Sequence, residues 1–175
     1  MEKGMLLEAY LKRLRLPAIG RHYQELARQA AQGNLSYEAF LLALVEIEAQ
    51  QREENAHQKR LRMARFPVLK SLDQFDFTAL PSLNKARVLD LAQGSYLDKR
   101  ENLLLMGNSG TGKTHLATAL GLLACQQGRK VRFFTAAGLI NLLTEAQAGL
   151  RLSHLERSLA QMDLLIIDEI GYVPF

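Results

Sequence analysis

Apolar residues in the first part of the chain recur at spacings of three and four, the pattern of an amphipathic helix. Ser36 can cap one such helix at its N-terminus, and Pro67 stops it, because proline has no backbone N–H to donate. The pattern predicts an all-helical N-terminal region over residues 1–66, with helices at about residues 5–14, 17–33 and 36–66.

The predicted third helix changes character halfway along. Its first half carries apolar residues that we expect to be buried, namely Phe40, Leu41, Leu44, Val45 and Ile47. Its second half is mostly polar and ends in a basic cluster, which consists of Lys59, Arg60, Arg62 and Arg65. These cations could complement the negative end of the helix dipole on a solvated face. Alternatively, they could contact DNA phosphates without reading base sequence.

The composition of the chain shifts after residue 66. Residues 67–101 are predicted to form a connector with one short helix at about residues 82–93. Phe75 and Phe77 lie in this connector, and two interpretations of them stay open. They could be packing residues, or they could lie near the adenine of a bound nucleotide.

Beyond residue 101 the pattern changes from helical spacing to short apolar runs. Three runs rich in aliphatic, β-branched or aromatic residues predict strands at residues 102–106, 130–135 and 163–167. The intervening stretches have a helical pattern, at about residues 112–127 and 137–161. Strands that alternate with helices indicate an α/β fold, with a parallel sheet flanked by helices over residues 102–175.

A glycine-rich turn lies between the first predicted strand and the helix that follows it. The residues Gly107, Gly112, Lys113 and Thr114 satisfy the phosphate-binding pattern G-x-x-x-x-G-K-[ST]. Glycine lets successive backbone N–H groups approach phosphate oxygens, and the start of the next helix adds positive potential. Lys113 is predicted to reach the β- and γ-phosphates of ATP, and Thr114 to hold Mg²⁺. The predicted nucleotide-binding residues are Gly107, Asn108, Ser109, Gly110, Thr111, Gly112, Lys113, Thr114 and His115.

An acidic pair follows the last predicted strand. Asp168 and Glu169 come directly after the apolar run of residues 164–167. Ligands of open parallel sheets bind beyond the carboxyl ends of the strands, so this pair is expected beside the glycine-rich turn. Asp168 is predicted to bind the Mg²⁺ of the nucleotide, and Glu169 to polarise the attacking water. Lys113 and Glu169 are therefore the predicted catalytic residues.

Composition adds limits on the class of protein. Hydrophobic residues make up 48 % of the 175 residues, enough for a buried core, and the net charge of +4 permits a polyanionic partner without requiring one. Cys125 is the single cysteine, which excludes an intrachain disulfide, and we expect it to be buried. The N-terminus lacks the apolar segment of a signal peptide, and no apolar run approaches the roughly 20 residues of a membrane span. A cytoplasmic protein is expected.

Two stretches resemble a known family. "ENLLLMGNSGTGKTHLATALGLLACQQGRKVRFFTAAGLINLL" and "LLIIDEIGYVPF" resemble the IstB-like ATPases, helper proteins of bacterial insertion-sequence transposition and AAA+ relatives of the DnaC helicase loaders. Upstream, "LRLPAIGRHYQELARQAAQGNLSYEAFLLALVEIE" and "RLRMARFPVLKSLDQFDF" resemble the helical N-terminal region of that family and its junction with the ATPase core. The resemblance covers essentially the whole chain.

The resemblance implies a set of partners and a domain order. It implies ATP and Mg²⁺ at a P-loop core over residues 102–175, together with DNA, a transposase and homo-oligomers as partners, and no membrane. The family continues past its Asp-Glu strand into strands that carry a sensor residue and an arginine finger, whereas this chain stops at Phe175. We therefore expect a fragment or a frameshifted copy, in which the strand at residues 102–106 lacks a neighbour and ATP turnover is low.

Other functions stay open at this point. A DnaC-like helicase loader shares the same core, and a truncated chain could bind DNA or partners without hydrolysing ATP. A small-molecule kinase also carries a phosphate loop. The Asp168-Glu169 pair and the long helical N-terminal region are evidence against the kinase.

Overall fold

The N-terminal part of the chain folds into helices, as the apolar spacing predicts. In the computed structural model, which describes residues 2–172, these helices are α1 (Glu2–Arg13), α2 (Pro17–Gln32) and α3 (Tyr37–Ala64). Ser36 caps α3, since its Oγ accepts a hydrogen bond from the backbone N–H of Ala39 at 3.2 Å. Helix α3 ends before Pro67, where Arg65 adopts a φ of 56°.

The N-terminus of α2 is capped by a side chain from α3. Leu16 holds the N-cap position and has no side-chain oxygen to offer. The Glu48 carboxylate, which is 4 % exposed, instead accepts hydrogen bonds from the backbone N–H groups of Ala18 at 2.8 Å and Ile19 at 3.2 Å. Arg52 lies 3.1 Å from the same carboxylate. Burial raises the pKa of Glu48, but the hydrogen bonds from Ile19, Arg52 and Ala18 outweigh burial and leave that pKa below its usual value.

The apolar face predicted for α3 is only partly correct. Leu44 is buried, but Leu41 and Val45 are 61 % and 51 % exposed. Leu44 lies one turn before Glu48, which is also buried, so the buried stripe of α3 is narrow. The buried stripe therefore includes a carboxylate that the apolar pattern did not indicate.

The chain divides within α3 into two compact units, Met1–Ala56 and His57–Phe175. The sequence pattern instead predicts that the N-terminal region ends at residue 66. The division into residues 1–66, 67–101 and 102–175 stays a prediction. The last turns of α3 belong to the second unit, where Ala64 is fully buried.

The second unit is an α/β arrangement around a parallel pair of strands. Its elements after α3 are a 3-10 turn at Leu72–Gln74, α4 (Lys85–Ala92), α5 (Ser95–Asp98), α6 (Lys113–Gln126), β1 (Val131–Thr135), α7 (Ala136–Ala148), α8 (Leu152–Ala160), β2 (Leu164–Asp168) and a 3-10 turn at Ile170–Tyr172. Val131 pairs with Leu164 at one end of the sheet, and Thr135 with Asp168 at the other. This register brings the acidic end of β2 beside the start of α7.

The predicted strand at residues 102–106 is wrong. Within residues 2–172 the sheet contains β1 and β2, and residues 102–106 form an irregular segment. Leu104 and Met106 are 75 % and 81 % exposed. A strand exists through hydrogen bonds to a neighbouring strand, and no described strand pairs with this segment.

The single helix predicted at residues 137–161 is also wrong, because the chain turns between α7 and α8. Gly149 is the C-cap of α7, and Leu150 follows it in the left-handed region at a φ of 54°. Glycine after a run of helix formers is a common stop signal, so this break was readable from the sequence.

One face of the sheet packs tightly against α6. The core there consists of Ala64, Ala124, Cys125, Val131, Phe133 and Ile166. A Cβ on Gly121 would lie 2.7 Å from Ile166 Cδ1, so the absence of a side chain permits the close approach of α6 to β2. Cys125 is buried as predicted, and burial raises the pKa of its thiol to about 11. Within residues 2–172, every helix is too short or too polar to cross a lipid bilayer.

Candidate functional site

The glycine-rich turn adopts a backbone that other residues rarely adopt. Gly107, Gly110 and Gly112 have φ angles of 155°, 77° and 82°. Glycine populates this region without the steric cost that a Cβ imposes. Gly112 is the N-cap of α6, so the turn ends where that helix begins. This explains the glycine spacing in the sequence.

The Lys113 side chain folds back across the turn. Its Nζ donates hydrogen bonds to the backbone oxygens of Gly107 at 2.8 Å and Asn108 at 2.7 Å. Thr111 Oγ1 donates to the same Asn108 oxygen at 2.9 Å. The ammonium group thus lies inside the curve of the loop, where phosphate oxygens could replace the two carbonyl oxygens as its acceptors.

The loop and the acidic pair meet at one point. Thr114 Oγ1 donates a hydrogen bond to Asp168 Oδ2 at 2.6 Å. The other oxygen of Asp168, Oδ1, accepts from the backbone N–H of Glu169 at 2.9 Å. Glu169 has a φ of 59°, and its side chain is exposed at the end of β2. The structure therefore brings Lys113, Thr114, Asp168 and Glu169 to one side of the loop.

An open cleft of about 1180 Å³ lies over these residues. Its lining includes Gly107, Gly110, Lys113, Thr114, Asp168 and Glu169. Small-molecule sites usually occupy about 300–1,000 Å³, so the cleft has room for a nucleotide. Polar groups gather at the loop and at the end of β2, while aliphatic side chains of β2 and the irregular segment line other parts of the cleft.

The residues present fit a magnesium ion that is shared with a phosphate ligand. Mg²⁺ prefers hard oxygen ligands and keeps several waters, and it usually takes one or two protein ligands in nucleotide sites. Thr114 and Asp168 offer one hydroxyl and one carboxylate side by side. Among residues 2–172, no group of three or more His, Cys, Asp or Glu side chains could hold a metal without such a ligand.

His115 and the connector aromatics lie together beside the loop. The Phe75 and Phe77 ring centroids are 5.0 Å apart, and the Phe75 and His115 centroids are 5.2 Å apart. Both phenylalanines pack against a core of Val88, Leu116 and Leu120. The structure therefore supports the packing interpretation of the two phenylalanines. The His115 ring contacts the connector, through Ser71 and Phe75.

The chain matches the family described as "IstB-like ATP binding protein" over residues 9–175. The chain belongs to this family. It is 36 % identical over 167 residues to the ATP-binding protein of insertion sequence IS5376 from Geobacillus stearothermophilus, a match that covers 95 % of this chain and 66 % of that protein. It is 39 % identical over 168 residues to the ATP-binding protein of insertion sequence IS21 from Pseudomonas aeruginosa, covering 96 % of this chain and 63 % of that protein.

A third relative has a similar extent. The ATP-binding protein of insertion sequence IS232 from Bacillus thuringiensis is 34 % identical over 168 residues, which is 96 % of this chain and 67 % of that protein. This IstB-like chain therefore spans about two thirds of the length of these curated relatives. The fold assigned from the phosphate-loop pattern, an α/β P-loop core after a helical region, is confirmed by the family match.

The basic cluster of this IstB-like chain divides into two groups. Arg60 is half-buried, and its Nε donates to the backbone oxygen of Cys125 at 2.8 Å, so it has a structural role. Lys59, Arg62 and Arg65 are exposed. DNA contact by these three residues stays a prediction.

Arg132, a half-buried cation beside the exposed group, was not indicated by the sequence pattern. Arg132 lies on β1, and its Nη1 donates to the backbone oxygen of Met63 at 2.8 Å at the end of α3. Partial burial, together with the neighbouring charge of Arg65, lowers the pKa of Arg132 from its usual value. Successive side chains of a strand point to opposite faces, so the sequence predicts that Arg132 and Val131 lie on opposite faces of β1. The proximity of Arg132 to Arg65 follows only from the fold.

Proposed function

We propose that this chain binds ATP together with Mg²⁺ at residues 107–114 and takes part in DNA transposition as an ATP-binding helper. The observation that carries the proposal is the position of Lys113. Its ammonium group lies inside the glycine loop, within hydrogen-bond distance of two backbone oxygens. A positive charge held inside a loop of backbone N–H groups is a site for phosphate.

Each residue then has a role in binding the triphosphate. Lys113 would exchange its carbonyl partners for oxygens of the β- and γ-phosphates. The backbone N–H groups of residues 108–114 would contact the same phosphates. Thr114 and Asp168 would hold Mg²⁺, which when bound neutralises negative charge on the phosphates. Glu169, exposed at the end of β2, would accept a proton from the attacking water in hydrolysis.

The proposed place of this activity is DNA transposition. Three relatives, each at least 34 % identical over most of this chain, are ATP-binding proteins of insertion sequences. We propose a transposase and DNA as partners, with homo-oligomers as the working assembly. The exposed cations Lys59, Arg62 and Arg65, together with Arg132, would contact DNA phosphates. The single, buried Cys125 fits a reducing compartment and supports the proposed cytoplasmic location.

A nucleotide titration tests the proposed site. We expect a fluorescent ATP or ADP analogue to bind the 175-residue chain in the presence of Mg²⁺. Lys113→Ala should weaken binding at least tenfold, because it removes the cation inside the loop. Glu169→Gln should bind as wild type does. Lys12→Ala on α1 is the matched control, since it removes an exposed lysine from the other unit. Equal affinities of wild type and Lys113→Ala would reject the site.

A further inference from the structure

The connector is tied to the first turn of α6 at a point next to the phosphate loop. His115 Nε2 lies 2.9 Å from the backbone oxygen of Ser71, a residue 44 positions earlier in the chain. A carbonyl oxygen can only accept a hydrogen bond, so Nε2 must carry the proton and donate it. The contact therefore fixes the tautomer of His115 as well as the position of the connector.

Phe75 extends this tie to the loop itself. Its ring meets the His115 ring edge to face, at an interplanar angle of 69°. The same ring also covers Gly112, because a Cβ built on Gly112 would lie 2.9 Å from Phe75 Cε2. Phe75 thus packs against the residue whose φ of 82° starts α6 and ends the phosphate loop.

The connector is held at this point by its own hydrogen bonds and by packing against α6. Gln74 Oε1 accepts a hydrogen bond from the Ser71 N–H at 3.3 Å. The Gln74 N–H donates to the Ser71 backbone oxygen at 3.3 Å, and the Phe75 N–H donates to the Leu72 oxygen at 3.0 Å. Leu72, Phe75 and Phe77 pack against Val88, Leu116 and Leu120, which joins the connector to the buried face of α6. We refer to His115, Ser71 and Phe75 together as the His115 latch.

We propose that His115 is a positioning residue. Through the latch it holds the connector against Gly112 and so keeps the phosphate loop in the shape that receives a nucleotide. This inference rests on the proposed nucleotide binding at residues 107–114. Because coupling between two parts of a protein is reciprocal, a nucleotide on the loop should in turn stabilise the connector at residues 71–77.

Variants of His115 separate the hydrogen bond from ring packing. His115→Phe keeps an aromatic ring beside Phe75 but cannot donate to Ser71. His115→Gln places an amide N–H near the position of Nε2. We expect His115→Phe to weaken binding of a fluorescent ADP analogue with Mg²⁺ about two- to tenfold, the range that one ordinary hydrogen bond supports. His115→Gln should restore binding to within about twofold of wild type.

Two controls make the result specific. His154→Phe changes an exposed histidine on α8 and should bind as wild type does. Lys113→Ala reports on the nucleotide site itself, so its failure to weaken binding would reject the proposed function. If Lys113→Ala loses binding while His115→Phe binds as wild type does, only the latch is overturned. Equal weakening in His115→Phe and His115→Gln would also overturn it, because the donor would then not matter.

Hydrogen exchange of the wild-type chain tests the latch without any variant. Saturating ADP with Mg²⁺ should slow amide exchange over residues 71–77 as well as over residues 107–115. The hydrogen-bonded amides of Ser71, Gln74 and Phe75 report on the connector. Slower exchange confined to the loop, with the connector unchanged, would overturn the coupling even if His115→Phe fails to fold.

Discussion

Thr114 Oγ1 lies 2.6 Å from Asp168 Oδ2, which joins the start of α6 to the end of β2. The two residues lie 54 positions apart in the chain. The register of the parallel strands, in which Asp168 pairs with Thr135, fixes where the carboxylate emerges from the sheet. A hydroxyl from the phosphate loop and a carboxylate from the strand end are thereby held as neighbours, the arrangement that a shared Mg²⁺ requires.

This pair predicts that Thr114 governs the magnesium dependence of nucleotide binding. Thr114→Ala removes the hydroxyl, and we expect nucleotide affinity in Mg²⁺ to fall about tenfold or more. Thr114→Ser keeps the hydroxyl and should bind within about threefold of wild type. Titrations with Mg²⁺ and with EDTA measure the effect. A Thr114→Ala chain with the same Mg²⁺ dependence as wild type would remove Thr114 from the metal site.

Two glycines with positive φ, one in the loop and one after α6, predict different effects of adding a methyl group. Gly112 and Gly128 have φ angles of 82° and 86°, so alanine is strained by roughly 1–2 kcal/mol at either position. A Cβ on Gly112 would also lie 2.9 Å from Phe75 Cε2, whereas a Cβ on Gly128 has nothing within 4 Å. We expect Gly112→Ala to lose nucleotide binding and Gly128→Ala to keep it. Titration of both variants, with urea unfolding as a check on folding, measures the difference.

The cap on α2 predicts a stability effect at Glu48. Glu48→Gln replaces the carboxylate that accepts from the backbone N–H groups of Ala18 and Ile19. We expect a loss of about 0.5–1.5 kcal/mol in the free energy of unfolding, because the neutral amide oxygen of Gln accepts more weakly than a carboxylate from two backbone N–H groups. Glu46→Gln, at an exposed position of the same helix, is the matched control and should change little. Urea unfolding of the three proteins near neutral pH measures the effect.

The same residue predicts a pH dependence. The pKa of Glu48 is lowered in the folded chain, because the hydrogen bonds outweigh burial. A lowered folded pKa stabilises the fold above the ordinary glutamate pKa, and this stabilisation is lost as the pH falls through the folded value. The difference in unfolding free energy between wild type and Glu48→Gln should therefore be full near neutral pH and shrink in acid. A difference that grows in acid would contradict this assignment.

The exposed cations predict salt-dependent DNA binding. A chain in which Lys59, Arg62 and Arg65 are all replaced by Gln should bind duplex DNA of random sequence more weakly. The slope of log affinity against log salt should also become shallower, by about 0.9 for each phosphate that the variant no longer neutralises. The matched control replaces exposed basic residues on other helices, Lys12, Arg28 and Arg157. Fluorescence anisotropy at several salt concentrations measures the slopes of wild type and of both variants. If the Lys59, Arg62 and Arg65 variant has the same slope as wild type, these residues form a solvated face and do not contact DNA.

Much of the fold was predictable because its elements are encoded locally. The apolar spacing of α2, the Ser36 cap and the helix that follows the glycine turn are each set by a few neighbouring residues. The strand predicted at residues 102–106 failed for the opposite reason. Its apolar run resembles a strand, but a strand requires a hydrogen-bonded neighbour, which no local pattern records. Glu48 was missed because its partners, Ala18 and Ile19, lie on another helix.

The candidate site was predictable as a set of residues but not as a geometry. The spacing from Gly107 to Thr114 predicts a phosphate-binding loop, because such a loop depends on glycine backbone conformation and on the two side chains that follow the last glycine. The separate position of Arg60, bonded to the Cys125 oxygen, could not be read from a run of basic residues. Arg132 and the tie from His115 to Ser71 likewise depend on contacts between distant parts of the chain.

The central claim, that residues 107–114 receive the phosphates of a nucleotide, is tested most directly at the backbone of the loop. The chain has 12 glycines, few enough for a resolved amide spectrum of a chain labelled with ¹⁵N-glycine. On titration with ADP and Mg²⁺, the amide signals of Gly107, Gly110 and Gly112 should shift with one common dissociation constant, while Gly33 and Gly128 stay in place. Single glycine-to-alanine variants assign the signals. Saturable nucleotide binding that leaves the three loop glycines unshifted would contradict the account.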